Sequence, residues 1–290
     1  MFYDARNKMT DSVWKQPLKN SKDSCYLDTA LIALFLDPSK RLIKDMETKQ
    51  CSPNSLVSVC GAKNKQDVIE IQKNFIVIAR KLMENYVGSD PVSRERNRLR
   101  KRAKKCPVLN AKENFDKEGM NDPSVFLDYF LKLFPCLQIT IQKKRKIMSI
   151  SPLVYLETPG TIQQANDRTL RDLFLKQVKK QKITRFVDVP YLWIDFTRLD
   201  KGKYIENIAL IPSMHITVGN HKFLLTSIIT WWDYHYTVYT RVGRIWWYFD
   251  DVQKLVRKVG SNRNLVNDAV NGQENFAVYN GKLYFYEKIE

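Results

Sequence analysis

The sequence predicts an α+β fold in which helices come first and a mostly antiparallel sheet follows. Two observations carry that prediction. Apolar residues recur at helical spacing as far as about Pro135, and beyond it the period shortens to two. No internal repeat or long low-complexity linker interrupts the chain, so residues 1–290 are expected to form one domain, with residues 1–135 helical and 136–290 β-rich. A chain of 290 residues with 44% hydrophobic content can bury a core of that size. Segregated helices and strands place a functional site most naturally in the cleft between them.

The first helix is expected over 26–36, where Leu27, Leu31 and Leu34 lie on one face, with Ser24 as its cap and Cys25 at its N-terminus. A second runs through KQDVIEIQKNFIVIARKLMENYV, placing Val68, Ile71, Phe75, Ile78 and Leu82 on one face and Gly88 as its stop. The basic stretch RERNRLRKRAKK (94–105) reads as a loop or an exposed helix. In NDPSVFLDYFLKLF, Asp122 stands at an N-cap and Pro123 in the first turn, with Val125, Phe126, Tyr129, Phe130 and Leu133 on one face. CLQITIQKK and KIMSISPLVYL read as two strands and TLRDLFLKQVKK as a short helix. From Pro190 onward YLWIDFTRL, FLLTSIIT, YHYTVYT, IWWYFD and KLYFYEK alternate as sheet strands.

Composition narrows the function classes. The longest apolar run, ALIALFL (30–36), is far shorter than the ~20 residues a membrane span requires, so no membrane association is expected. Five cysteines without a C-x-x-C pair argue against a disulfide framework and against a cysteine-rich zinc site, which fits a reducing intracellular compartment. A formal charge of +17 favours acidic partners, and residues 94–105 carry eight basic side chains in twelve positions. That run suits either a solvated face or a contact with nucleic acid or another acidic surface.

A cysteine at a helix N-terminus has its thiolate favoured by the helix dipole and by backbone N–H groups, although Cys25 also suits a small buried side chain. Its candidate partner is His235, which opens a strand, while Asp250 closes the next one. A hairpin would bring imidazole and carboxylate together as a base and its orienting group, with Asp251 as the alternative carboxylate. Packing for the histidine and a strand end for the two aspartates remain the competing reading.

These segments resemble the ubiquitin-specific proteases, a papain-like class of deubiquitinating cysteine peptidases. NSKDSCYLDTALIALF resembles the family's cysteine box and HYTVYTRVGRIWWYFDD its histidine box. VPYLWIDFTRL, NDPSVFLDYFL and KLYFYEK resemble three further boxes in the family's order. The resemblance implies a papain-like fold of helical thumb and antiparallel β palm. It implies Cys25 as nucleophile, His235 as general base, Asp250 as orienting carboxylate, Asn20 as an oxyanion donor and Asp251 as a supporting aspartate. Tyr236 matches a residue lining the channel for the modifier's Gly-Gly tail, and Asp122 matches a carboxylate that meets the tail, beside its local role as a cap. The chain departs from the family at Lys22 and Asp23, at Val125 and at Tyr234, where a glycine normally precedes the histidine and where a bulky side chain would gate the channel. Compact forms of this kind resemble those encoded by large DNA viruses, and a virion location is compatible with them.

The implied substrate is a conjugate of ubiquitin or a ubiquitin-like modifier, with no cofactor and a monomeric enzyme. The region where family members often bind zinc through two C-x-x-C pairs contains only Cys136 here, so short, metal-free fingers are expected. Two rivals stand beside this reading: a catalytically idle ubiquitin-binding scaffold, and a basic nucleic-acid-binding protein.

Overall fold

A computed structural model describes residues 18, 24–36, 41–48, 65–83, 92–103, 122–156, 169–196, 199–200, 203–204 and 208–289. Helices α1 (Cys25–Phe35), α2 (Arg41–Thr48), α3 (Lys65–Met83), α4 (Ser93–Ala103) and α5 (Pro123–Leu133) come first. Strands β1 (Ile139–Lys143), β2 (Lys146–Ile150) and β3 (Leu153–Leu156) follow, then α6 (Leu170–Lys180), β4 (Ile183–Asp188), β5 (Tyr191–Phe196), β6 (Leu199–Asp200) and β7 (Lys203–Tyr204). The chain continues through β8 (His215–Val218), β9 (His221–Trp232), β10 (His235–Val242), β11 (Ile245–Asp250), β12 (Leu255–Gly260), α7 (Asn262–Val266), α8 (Phe276–Asn280) and β13 (Gly281–Lys288). The α+β class is as the periodicity predicts.

An eight-stranded sheet organises the molecule, in the order β12-β11-β10-β9-β13-β5-β3, with β8 also paired to β9. Its pairings are antiparallel except for β3 with β5. Its central strands divide their side chains between two cores, as the two-residue period requires. Leu283 and Phe285 of β13 pack with the helices α1, α3 and α5, whereas Tyr284 and Tyr286 face a second core containing α6, α7 and α8. Trp247 and Phe249 of β11 likewise join the first core, and Trp246 and Tyr248 the second. On the helical side, Phe75, Phe126, Phe130 and Phe134 form a cluster with ring centroids 5.0–6.4 Å apart.

Several expectations change in detail. Val125 is only half-buried on α5, while Leu127 and Leu131 are buried beside the expected face. KIMSISPLVYL is two strands: β2 pairs with β1, whereas β3, beyond Pro152, joins the large sheet beside β5. Proline lacks the N–H that would continue the ladder, so the chain changes sheet there. A small sheet β2-β1-β4 occupies the region expected to form short fingers. The basic stretch is helical as far as Ala103, but Glu95, Arg96, Leu99 and Arg100 are buried in it, so it is not a solvated helix all round. The expected stop at Gly88 lies outside the described residues.

Candidate active site

Helix α1 is buried along its whole length, from Cys25 to Phe35, with Cys25 itself 4% exposed. It lies against β9 and β10, and Ser227 of β9 donates to the backbone oxygen of Ala33 at 3.2 Å while sharing a 2.8 Å hydrogen bond with Thr240 of β10. These contacts tie the helix to the strand that begins with His235. In the first turn, the Thr29 hydroxyl donates to the Cys25 carbonyl at 2.7 Å. Ser24 occupies the N-cap position but makes no side-chain cap; its hydroxyl donates to Asp28 Oδ2 at 2.7 Å instead.

The Cys25 thiol lies beside the backbone N–H groups of Tyr236 and Tyr26, both of which favour its thiolate. Burial outweighs them. Together with the nearby carboxylates of Asp251 and Asp28 it pushes the thiol up to about 12, so the resting group is a neutral thiol. Because Tyr236 follows His235 directly, the same strand end that presents the imidazole also presents an N–H to sulfur.

The β10–β11 hairpin does bring His235 to Asp250. His235 Nε2 lies 2.9 Å from Asp250 Oδ1 and 3.6 Å from Asp251 Oδ1, which makes Asp250 the hydrogen-bonded partner. The Asp250 oxygen also accepts the backbone N–H groups of Val252 and Gln253, each at 3.0 Å. Burial pushes the Asp250 carboxyl up, but the His235 hydrogen bond and these two N–H groups outweigh it and hold the group below its ordinary value. With Nε2 held by a carboxylate, Nδ1 is the imidazole nitrogen left for another partner. His235, Asp250 and Asp251 also place one donor atom each within 4.8 Å of one another, a grouping that can accept a metal ion. The hydrogen bond between His235 and Asp250 instead suits acid–base work.

Asp251 differs from its neighbour. Burial first, then the Asp28 carboxylate, a hydrogen bond with Asp28 and the charge of Asp250 push it up to about 9. Among the described residues, no N–H or hydroxyl of another residue donates to its oxygens, so its hydrogen bond with Asp28 requires a proton held between the two carboxyl groups. Asp28 is wholly buried and forms an ion pair with Arg96, itself 4% exposed, on α4. Asp28 and Arg96 escaped the sequence reading. The signal was present in CYLDTALIALF: one carboxylate inside an otherwise apolar, fully buried helix demands a cationic or protonated partner.

Asp122 caps α5, accepting from the Ser124 backbone N–H at 2.8 Å, and its second oxygen pairs with Lys282 of β13. The sequence reading missed Lys282. Tyr236 is 7% exposed and belongs to the helical-side core. Tyr234 is 72% exposed in the β9–β10 turn, where it and Asp233 both adopt positive φ, and its ring meets Trp231 edge-on at 6.2 Å. Asn20, Lys22 and Asp23 lie outside the described residues, as do Cys51, Cys60 and Cys106.

No protein-family model matches the chain, and no curated protein matches it by sequence. Solved structures do. It is similar to a chain in the SAGA Ubp8/Sgf11/Sus1/Sgf73 DUB module bound to ubiquitin aldehyde, with a TM-score of 0.60 and 11% identity over 97% of this chain and 71% of that one. A further structure of the Ubp8-Sgf11-Sgf73-Sus1 module matches with a TM-score of 0.51 and 12% identity, over 95% of this chain and 68% of that one. An essential yeast splicing factor matches at 0.53 and 12% identity, over 95% of this chain and 70% of that one. The chain therefore has the α+β fold of the DUB module chain, a fold shared with a protein described as a splicing factor.

Proposed function

We propose that the chain is a thiol-dependent hydrolase that cleaves the isopeptide or peptide bond after the C-terminal glycine of ubiquitin or a ubiquitin-like modifier. The observation that carries this reading is the placement of Cys25 at the N-terminus of a buried helix, against the strand end where His235 is held by Asp250 at 2.9 Å. The sulfur attacks the carbonyl carbon and a C–S bond forms, while the thiol proton passes to His235. The tetrahedral intermediate collapses, the C–N bond breaks, and the leaving amine takes the proton from His235. Water then adds to the thioester carbonyl and gives one proton to the imidazole; the C–S bond breaks, Cys25 takes that proton from His235, and the modifier leaves as a carboxylic acid that ionises in solvent. Asn20 is the proposed side-chain donor to the oxyanion.

The test is a ubiquitin probe with a thiol-reactive C-terminus, run beside probes built on other modifiers, with the adduct located by peptide mass spectrometry. Capture at Cys25, lost in Cys25→Ala, supports the reading and identifies the modifier. Absence of capture by every probe from folded protein overturns it.

A second, compatible reading comes from α4. Its outer side presents exposed Arg94, Arg98 and Lys101, which line an open concavity with Lys81. Contact with a nucleic acid there predicts oligonucleotide binding that weakens steeply with salt, and affinity unchanged by Arg94→Glu with Arg98→Glu would remove this reading.

A further inference from the structure

A chain of buried charged groups runs from the basic helix to the nucleophile. Arg96 of α4 pairs with Asp28 of α1, Asp28 holds a hydrogen bond with Asp251 after β11, and Asp251 lies beside both Cys25 and His235. Arg96 is 4% exposed, Asp28 0% and Asp251 4% at their side chains. Desolvated charges at such positions interact strongly, and an uncompensated one is strongly destabilising. Of two adjacent buried carboxyl groups, one keeps a proton.

We propose that Arg96 is a positioning residue for the thiol chemistry. Its guanidinium neutralises a single-charged Asp28–Asp251 pair beneath Cys25, so that formation of the thiolate does not meet a net negative charge. This proposal rests on Cys25 being the nucleophile, and it concerns the thiol itself, whatever the substrate. Each member has a defined task. Arg96 fixes Asp28; Asp28 accepts from Ser24 at 2.7 Å and from the protonated Asp251; and Asp251, kept neutral, leaves the hydrogen bond to His235 with the ionised Asp250. Without the guanidinium, the pair carries one net negative charge near sulfur, which disfavours the thiolate. The acidic residue in the cysteine-bearing helix and the buried arginine of the basic helix thus form one device, although 68 positions separate them.

The test uses the full-length chain and needs no modifier. Alkylation of Cys25 by iodoacetamide is followed from pH 7 to 10 by site-resolved mass spectrometry, with folding checked by circular dichroism. Arg96→Met is expected to slow alkylation at pH 8 three- to tenfold, because the lost thiolate is partly offset by the higher nucleophilicity of a more basic sulfur. Arg96→Lys, which keeps the charge, is expected to stay within threefold of wild type. Equal rates for wild type and a folded Arg96→Met, or Arg96→Lys as slow as Arg96→Met, would overturn the proposal.

If Arg96→Met does not fold, Asp251→Asn decides. A carboxyl that already holds a proton loses no charge on amidation, so at pH 7–8, below the value of about 9 at which Asp251 ionises, alkylation is expected within twofold of wild type. Alkylation accelerated fivefold or more would show an ionised Asp251 and overturn the proposal. Failure of the ubiquitin probe with these alkylation ratios intact would reject the substrate reading alone.

Discussion

Asp250 and Asp251 carry the same side chain one position apart, yet their surroundings drive them in opposite directions. Asp250 is held low by His235 and two backbone N–H groups, whereas Asp251 is pushed up to about 9 by burial and by Asp28. Two outcomes follow at this scale. Asp250→Asn is expected to lower kcat at least 100-fold with a smaller effect on KM, since it spoils the tautomer and charge of the base, and steady-state hydrolysis of a ubiquitin amide measures this. A larger kcat loss in Asp251→Asn would exchange their roles. The second outcome concerns stability. A carboxyl whose folded pKa is raised favours the fold fully below its unfolded value, and that contribution is lost as pH rises toward the folded one. Between about pH 4 and 9 the wild type should therefore lose stability relative to Asp251→Asn by up to about 1.4 kcal/mol per unit. Denaturant midpoints of the pair at pH 5, 6.5 and 8 check the sign.

At the scale of elements, α5 and β13 meet through one side chain, because Asp122 both caps the helix and pairs with Lys282. Asp122→Ala should cost about 1–3 kcal/mol, losing the cap and leaving Lys282 without this partner. Asp122→Asn should retain most of the cap, so a KM increase in Asp122→Asn with unchanged melting would expose a contact with substrate. Gly281, the first residue of β13, has a different constraint: an added Cβ would lie 2.7 Å from the Ala277 backbone oxygen. Gly281→Ala should lower stability by roughly 1–3 kcal/mol, read as a fall in Tm. What was legible in the sequence follows the same physics. The buried face of α3 and the alternation of β9, β10, β11 and β13 were readable because one long apolar stripe or a strict two-residue period admits few solutions. Helix α2 and strand β4 were not anticipated, since short polar-rich elements draw their stability from packing against the rest of the fold. The inward arginines of α4 were hidden in a run whose composition resembles a solvated surface. The hairpin placing His235 on Asp250 was foreseeable from strand ends, but the partners Arg96 and Lys282 come from elements remote in sequence.

The whole molecule is a sheet with a helical layer on one face and smaller helices on the other, and no described helix is long and apolar enough to cross a membrane. Cys25 belongs to the helical layer, while His235 and Asp250 belong to the sheet. The proposed nucleophile and its base therefore straddle an internal seam, held closed by α1 against β9 and β10 and by the Ser227 link to Ala33. A disturbance that parts the seam by an ångström or two separates sulfur from imidazole while leaving each layer folded. Such a machine can be switched off without being broken: probe capture should vanish at a lower urea concentration than the circular dichroism of the strands, and return on dilution. Coincident loss of both signals would mean that the two layers stand or fall as one.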